Sequence, residues 1–145
     1  MRECAIFDMD GTLANVSSIR HFVRVRPKDF SKFHSESVNV PPNPEVVAMA
    51  HDFHNQGIDI VIVTARRAMW RNHTAMWLAL NGVPSVALFM RGNKDHRSDV
   101  HIKRDILHQI RKSWKVVWAV DDNPSIIKLW KDEDIPVTIV EGWEV

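Results

Sequence analysis

The chain has 145 residues, 45% of them hydrophobic and 26% charged, with a formal net charge of +1. This is an ordinary globular balance for one domain with a single core, too near neutral to argue by itself for nucleic acid. One cysteine, Cys4, excludes an internal disulfide, and the apolar run that holds it stops at Asp8, too short for a leader or a membrane span. A cytoplasmic chain with no membrane partner is the expectation.

In chain order, residues 4–7 read as a strand. Residues 14–42 are the least legible, with mixed charge, Pro27, Pro41 and Pro42, and at most a short helix near 17–25. Asn43-Pro44-Glu45 opens a helix as an N-cap followed by proline at the first helical position, with Val46, Val47, Ala50 and Phe53 on one face and Gly57 as its stop. A strand follows at 58–63, then a helix over 67–81 carrying Trp70, Trp77 and Leu80, closed by Gly82. Residues 86–90 form a third strand, and 99–112 a helix that aligns Ile106, Leu107 and Ile110. Residues 116–120 are a fourth strand, Asn123-Pro124 starts a last helix with Ile126, Ile127 and Trp130, and 137–140 is the fifth strand. The strands are rich in Val and Ile and scarcely alternate, as buried parallel strands do. Strands alternating with helices predict a Rossmann-like three-layer α/β/α domain over 1–145, with a five-stranded parallel sheet in the order 3-2-1-4-5.

Four of these strands end in polar groups: Asp8 and Asp10, Thr64 and Arg66, Arg91, and Asp121 with Asp122. Open α/β sheets bind ligands beyond the carboxyl ends of their strands, where the strand order reverses. In the order 3-2-1-4-5 that point brings Asp8, Asp10 and Asp121 together. Crowded carboxylates call for a cation, and hard oxygen donors favour Mg²⁺. A plain turn explains Asp10-Gly11 but not the acid pair at the fourth strand. A calcium loop is excluded by the missing third acidic position and closing Glu.

Asp8-Met9-Asp10-Gly11-Thr12-Leu13 resembles the first signature of the haloacid dehalogenase-like phosphatases. Val61-Ile62-Val63-Thr64 resembles the second, Lys103 the third and Val120-Asp121-Asp122-Asn123 the fourth, all in the right order. Arg66, Leu88-Phe89-Met90-Arg91-Gly92, Asp99 before Lys103, and Trp118-Ala119-Val120-Asp121-Asp122 are similar to the 3′-phosphatase half of polynucleotide kinase–phosphatases. Two departures are Asn123, where those proteins carry an arginine or a similar residue, and the stretch 93–98. The resemblance implies a Mg²⁺-dependent phosphomonoesterase with an aspartyl-phosphate intermediate. Asp8 is its nucleophile and Asp10 its acid and base. Thr64 binds phosphoryl oxygens, and Lys103 neutralises them under the orienting influence of Asp99. Asp8 and Asp121 bind the metal directly, Asp122 through water, and Asp10 through its backbone carbonyl. Arg66 and Arg91 grip the phosphate or a neighbouring nucleotide.

The implied substrates are 3′-phosphorylated DNA or RNA ends. No phosphate-loop motif is present, so any kinase or ligase would be a separate chain. The alternatives are a nucleotide or small-metabolite phosphatase of the same fold and a non-catalytic phosphate-binding module. Residues 14–42 are too few for a large cap domain, which predicts an open site lined by Arg20, Arg24, Arg26 and Lys28, with Trp70 or Phe22 for base stacking.

Overall fold

The computed structural model describes residues 1–143. Five parallel strands, β1 (Arg2–Phe7), β2 (Asp59–Arg67), β3 (Ser85–Arg91), β4 (Trp114–Asp121) and β5 (Val137–Ile139), form one sheet in the order β3-β2-β1-β4-β5. Six helices accompany them: α1 (His21–Arg24), α2 (Phe30–Glu36), α3 (Pro44–Asn55), α4 (Arg71–Leu80), α5 (Asp99–Ile110) and α6 (Pro124–Asp132).

The weak alternation of the strands has a direct cause, because both faces of the sheet are covered. Ala5, Phe7, Ile60 and Ile62 pack with Val46 and Ala50 of α3 and with Trp77 and Leu78 of α4. Their neighbours Cys4, Ile6, Val61 and Val63 point the other way, onto Ile102, Ile106, Leu107 and Ile110 of α5 and Ile126, Leu129 and Trp130 of α6. Successive side chains on a strand face opposite sides, so a strand buried on both must be apolar throughout. Truncating a fully buried Trp77 or Trp130 to Ala should cost about 3–5 kcal/mol of stability.

Cys4 belongs to this interior. Burial, and after it the charge of Asp59, pushes its thiol up to about 12. The thiolate is the reactive form. The native protein should therefore resist a thiol-specific reagent at about pH 8, while the urea-unfolded chain reacts at once. Comparable labelling rates in the two states would contradict the placement of Cys4.

Four local expectations change. The second strand does not stop at residue 63 but runs on to Arg67, with a register shift against β3 between Val63 and Arg67. The following helix accordingly starts at Arg71 after a 3-10 turn, Ala68–Trp70. Asn43 occupies the N-cap position of α3 as expected, but its side chain does not cap the helix; its Nδ2 donates to the Thr12 carbonyl at 2.7 Å. The segment before α3 holds two short α-helices and a 3-10 turn, Ser37–Asn39, rather than one helix, and α2 is opened by Asp29, which accepts from the Lys32 amide.

Candidate active site

The reversal of strand order lies between β1 and β4, since the chain moves outward to β2 and β3 on one side and to β4 and β5 on the other. Beyond the carboxyl ends of these two strands sit Asp8, Asp121 and Asp122. All three are buried, and one carboxylate oxygen from each lies within 4.8 Å of the others. The Asp8 amide donates to the Val120 carbonyl at 3.1 Å, which extends the β1–β4 pairing to the first carboxylate.

Lys103 reaches this cluster from α5 and is itself only 3% exposed. Its Nζ donates to Asp8 Oδ1 at 3.0 Å and to Asp121 Oδ2 at 3.1 Å. Burial alone would lower its proton affinity; the carboxylates of Asp121 and Asp8 reverse that and hold it firmly protonated. Thr12 Oγ1 lies 3.0 Å from Asp8 Oδ2 and 3.3 Å from Asp122 Oδ1. Asp121 Oδ1 accepts the amides of Asp122 and Asn123 at 2.9 and 3.1 Å, which fixes its orientation. Asn123 caps α6 through the Ser125 amide at 3.0 Å.

The loop after Asp8 requires glycine. Gly11 has φ +80°, and a Cβ there would fall 2.0 Å from Asp122 Oδ2 and 2.6 Å from Arg20 Nη2. Both the conformation and the close approach exclude a side chain.

Asp10 stands apart from the trio. Arg66 Nε donates to its Oδ2 at 2.9 Å and Nη2 to its Oδ1 at 2.5 Å. Burial would raise the Asp10 pKa, but the Arg66 charge and its hydrogen bonds prevail and hold the group below the usual carboxylate range. Arg66 also donates through Nη1 to Thr74 Oγ1 at 3.0 Å, and its amide donates to Thr64 Oγ1 at 3.2 Å. Thr64 is 1% exposed and thus accepts from Arg66 while keeping its hydroxyl proton for another acceptor.

The structure pairs two expected residues differently. Asp99 bonds Arg91 Nη2 at 2.5 Å, whereas Lys103 is oriented by Asp8 and Asp121. Arg91 further donates to the carbonyls of Ala65, Asp95 and Arg97, so its guanidinium shapes the loop before α5. Arg24 donates to the carbonyl of Trp143, a residue that lines the cavity over the site. Arg20 contacts the Gly142 carbonyl at 2.7 Å and Asp122 at 3.5 Å. Phe22 packs against the core beside Lys32, whose ammonium lies 6.0 Å from its ring centroid.

A cavity of about 610 Å³ opens over Asp8, Asp10, Thr64, Arg66 and Lys103. Its other wall comes from α2 and the turn at 68–70, through Phe30, Phe33, His34, Met69 and Trp70. The segment that the sequence left unread therefore supplies one side of the site. Thr12, Asn43 and Thr74 stand in segments that the sequence marks for other reasons; their side-chain contacts with Asp8 and Asp122, with the Thr12 carbonyl, and with Arg66 are what the structure adds.

The trio suits a divalent cation. Three buried carboxylates face one buried ammonium, and Arg20 stands 3.5 Å from Asp122, so negative charge is in excess. Burial and the Asp8 charge push both Asp121 and Asp122 above the usual carboxylate range, the mark of charge not yet compensated. The donors are hard oxygens, the kind Mg²⁺ takes.

A family model described as the polynucleotide kinase PNKP phosphatase domain matches residues 2–142. Among solved structures, a chain of the Pnkp1/Rnl/Hen1 complex superposes with a TM-score of 0.84 at 23% identity, covering 100% of this chain and 48% of that one. The present chain thus spans about half the length of that relative. The class C acid phosphatase of Bacillus anthracis, with tungstate bound, gives 0.77 at 13% identity over 99% of this chain and 68% of that one. The D,D-heptose 1.7-bisphosphate phosphatase of B. bronchiseptica, complexed with magnesium and phosphate, gives 0.59 at 18% identity over 96% and 80%. At these identities the structural likeness establishes the shared fold. No curated protein matches the chain in sequence. The match over residues 2–142, on a haloacid dehalogenase-like core, places the chain in the family of polynucleotide kinase phosphatase domains.

Proposed function

We propose that the chain is a Mg²⁺-dependent phosphomonoesterase that acts through an aspartyl-phosphate on Asp8 and removes the 3′-phosphate from polynucleotide ends. The observation that carries this reading is the buried trio Asp8, Asp121 and Asp122 sharing Lys103, with Asp10 clamped nearby by Arg66. The polynucleotide substrate is supported by the family match.

Asp8 attacks phosphorus through a carboxylate oxygen; the bond from phosphorus to the sugar oxygen breaks, and Asp10 delivers a proton to that oxygen. Water then attacks the aspartyl-phosphate. Asp10 takes its proton, the bond to Asp8 breaks, and inorganic phosphate leaves with Asp8 restored. Lys103 Nζ and the Thr64 hydroxyl bind the phosphoryl oxygens, where fixed donors stabilise developing charge. The Arg66 clamp favours the ionised form of Asp10, which suits its role as base in the second step; the proton that Asp10 gives to the sugar oxygen in the first step is taken up against that clamp, from solvent or from the monoanionic phosphate ester. Mg²⁺ would be held by Asp8 and Asp121 directly, by Asp122 through water and by the Asp10 backbone carbonyl, and it would supply charge that offsets repulsion between nucleophile and phosphate. A kinase or ligase activity would come from elsewhere than these residues, and the neighbour described as the Pnkp1/Rnl/Hen1 RNA repair complex supports such a partnership.

Phosphate release from p-nitrophenyl phosphate should require Mg²⁺ and stop with chelator. Catalytic efficiency on a 3′-phosphorylated oligonucleotide should exceed that on nucleoside monophosphates, and the advantage should shrink as salt rises, because backbone contacts are electrostatic. Equal efficiency at all salt concentrations would leave a nucleotide or small-metabolite phosphatase as the reading. Full activity in metal-free protein would remove the Mg²⁺ assignment.

A further inference from the structure

A phosphate group alone leaves most of a 610 Å³ cavity unfilled, a volume of the size that holds a complete small-molecule ligand. The cavity has two unlike walls. One is the ionic centre around Asp8. The other is apolar and partly exposed to solvent: Phe30 is 56% and Met69 62% exposed, with Trp70 half-buried between the strand end and α4. Exposed apolar side chains gathered beside a polar site mark a binding surface rather than chance exposure.

Trp70 is held in place as a flat surface. The His34 ring lies against it at 5.2 Å between centroids and a 34° tilt, and His73 meets it edge-on at 5.1 Å and 77°. Burial pushes the His34 pKa down to about 4, so this support is a neutral ring at physiological pH. The backbone of Trp70 is also tied to the acid–base residue. Its carbonyl accepts from Thr74 Oγ1 at 2.9 Å, Thr74 Oγ1 accepts from Arg66 Nη1 at 3.0 Å, and Arg66 Nε donates to Asp10 at 2.9 Å. The ring and the carboxylate thus share one hydrogen-bonded frame.

We propose that Trp70 is the shelf on which the nucleobase of the phosphate-bearing nucleotide stacks, and that the Thr74–Arg66 link registers this shelf to Asp10. Every base offers a π-face, so such a shelf selects nucleotides over other phosphate esters without selecting among bases. Arg67, whose guanidinium contacts the Asn93 carbonyl and the His96 ring, adds positive charge beside the same wall, suited to a nucleotide's anionic backbone. A base seated on Trp70 sets the sugar oxygen relative to Asp10, so stacking contributes to kcat as well as to KM.

The inference rests on the phosphatase reading above and is tested separately from it. Steady-state kcat and KM are measured for a 3′-phosphorylated oligonucleotide with an ordinary terminal base and for the same strand ending in an abasic sugar. Wild type, Trp70→Ala and Trp70→Phe are compared. Wild type should favour the base by about tenfold in kcat/KM, the scale of base–aromatic stacking, with part of the gain in kcat. The ratio should fall to near one in Trp70→Ala and recover in Trp70→Phe. A wild-type ratio near one, or a ratio that survives Trp70→Ala, overturns the shelf; a gain wholly in KM overturns its registration to Asp10. The wild-type ratio needs no variant, so poor folding of Trp70→Ala leaves the test standing. Should strand ends prove not to be hydrolysed, the substrate reading fails. The shelf is then decided by nucleoside monophosphates against the matching ribose phosphates, where the same ratio is expected.

Discussion

Asp8→Asn should abolish turnover, lowering kcat by at least about a thousandfold, while the protein melts at or above the wild-type temperature. The two halves of that result have different causes. An amide oxygen is a poor nucleophile and a poor ligand for a hard cation, so the first chemical step has no substitute. Stability should not suffer, because the substitution keeps the shape that Lys103 and Thr12 contact and removes one of three mutually repelling buried carboxylates. Asp10→Asn should cost less, about 10²–10⁴-fold, since it removes proton transfer but leaves the nucleophile. Retention of more than about a tenth of the wild-type rate by Asp8→Asn would overturn its assignment as nucleophile, since so small a loss is below the cost of removing even an acid–base group.

The sheet was legible because its pattern is local. Runs such as Val61-Ile62-Val63 are apolar at every position only if both faces are covered, and that alone implies helices on each side. The convergence of Asp8, Thr64, Asp121 and Asp122 was legible for a related reason: topology brings the carboxyl ends of β1, β2 and β4 together whatever the loops do, whereas Lys103, on α5, was legible only through the family resemblance. What the sequence could not convey was pairing among long side chains. Arg66 reads as a substrate-gripping arginine, yet β2 continues past Thr64 with a shifted register, and its guanidinium comes to rest on Asp10 and Thr74. Asp99 lies four positions before Lys103 on α5, one helical turn, which suggests contact; Arg91 competes for it successfully. Residues 30–36 carry only one buried side chain, Phe33, and so leave no periodic stripe to read, although their exposed and half-buried neighbours form a wall of the cavity.

Lys103 is the residue on which charge and stability meet. Lys103→Met keeps the length of the aliphatic stem and removes the ammonium that bonds Asp8 and Asp121 in a setting with almost no solvent. Asp8, Asp121 and Asp122 would then keep, among the described residues, only Arg20, 3.5 Å from Asp122, as an ion-pair partner, and breaking a buried ion pair on one side costs about 3–5 kcal/mol. For a chain of this size that loss corresponds to a fall in melting temperature of about 10–16 °C in chelator. Mg²⁺ should recover much of it, and should raise the melting temperature of Lys103→Met by more than it raises that of wild type, because the variant has more negative charge left to compensate. Catalysis should not return with stability: the phosphoryl oxygens still lack the Lys103 donor, and kcat/KM should stay at least about a hundredfold below wild type. Melting curves with and without Mg²⁺, read beside the phosphate-release rate of the same samples, separate the two effects. An equal Mg²⁺ shift in both proteins would mean that the ion does not sit among the carboxylates that Lys103 now bridges.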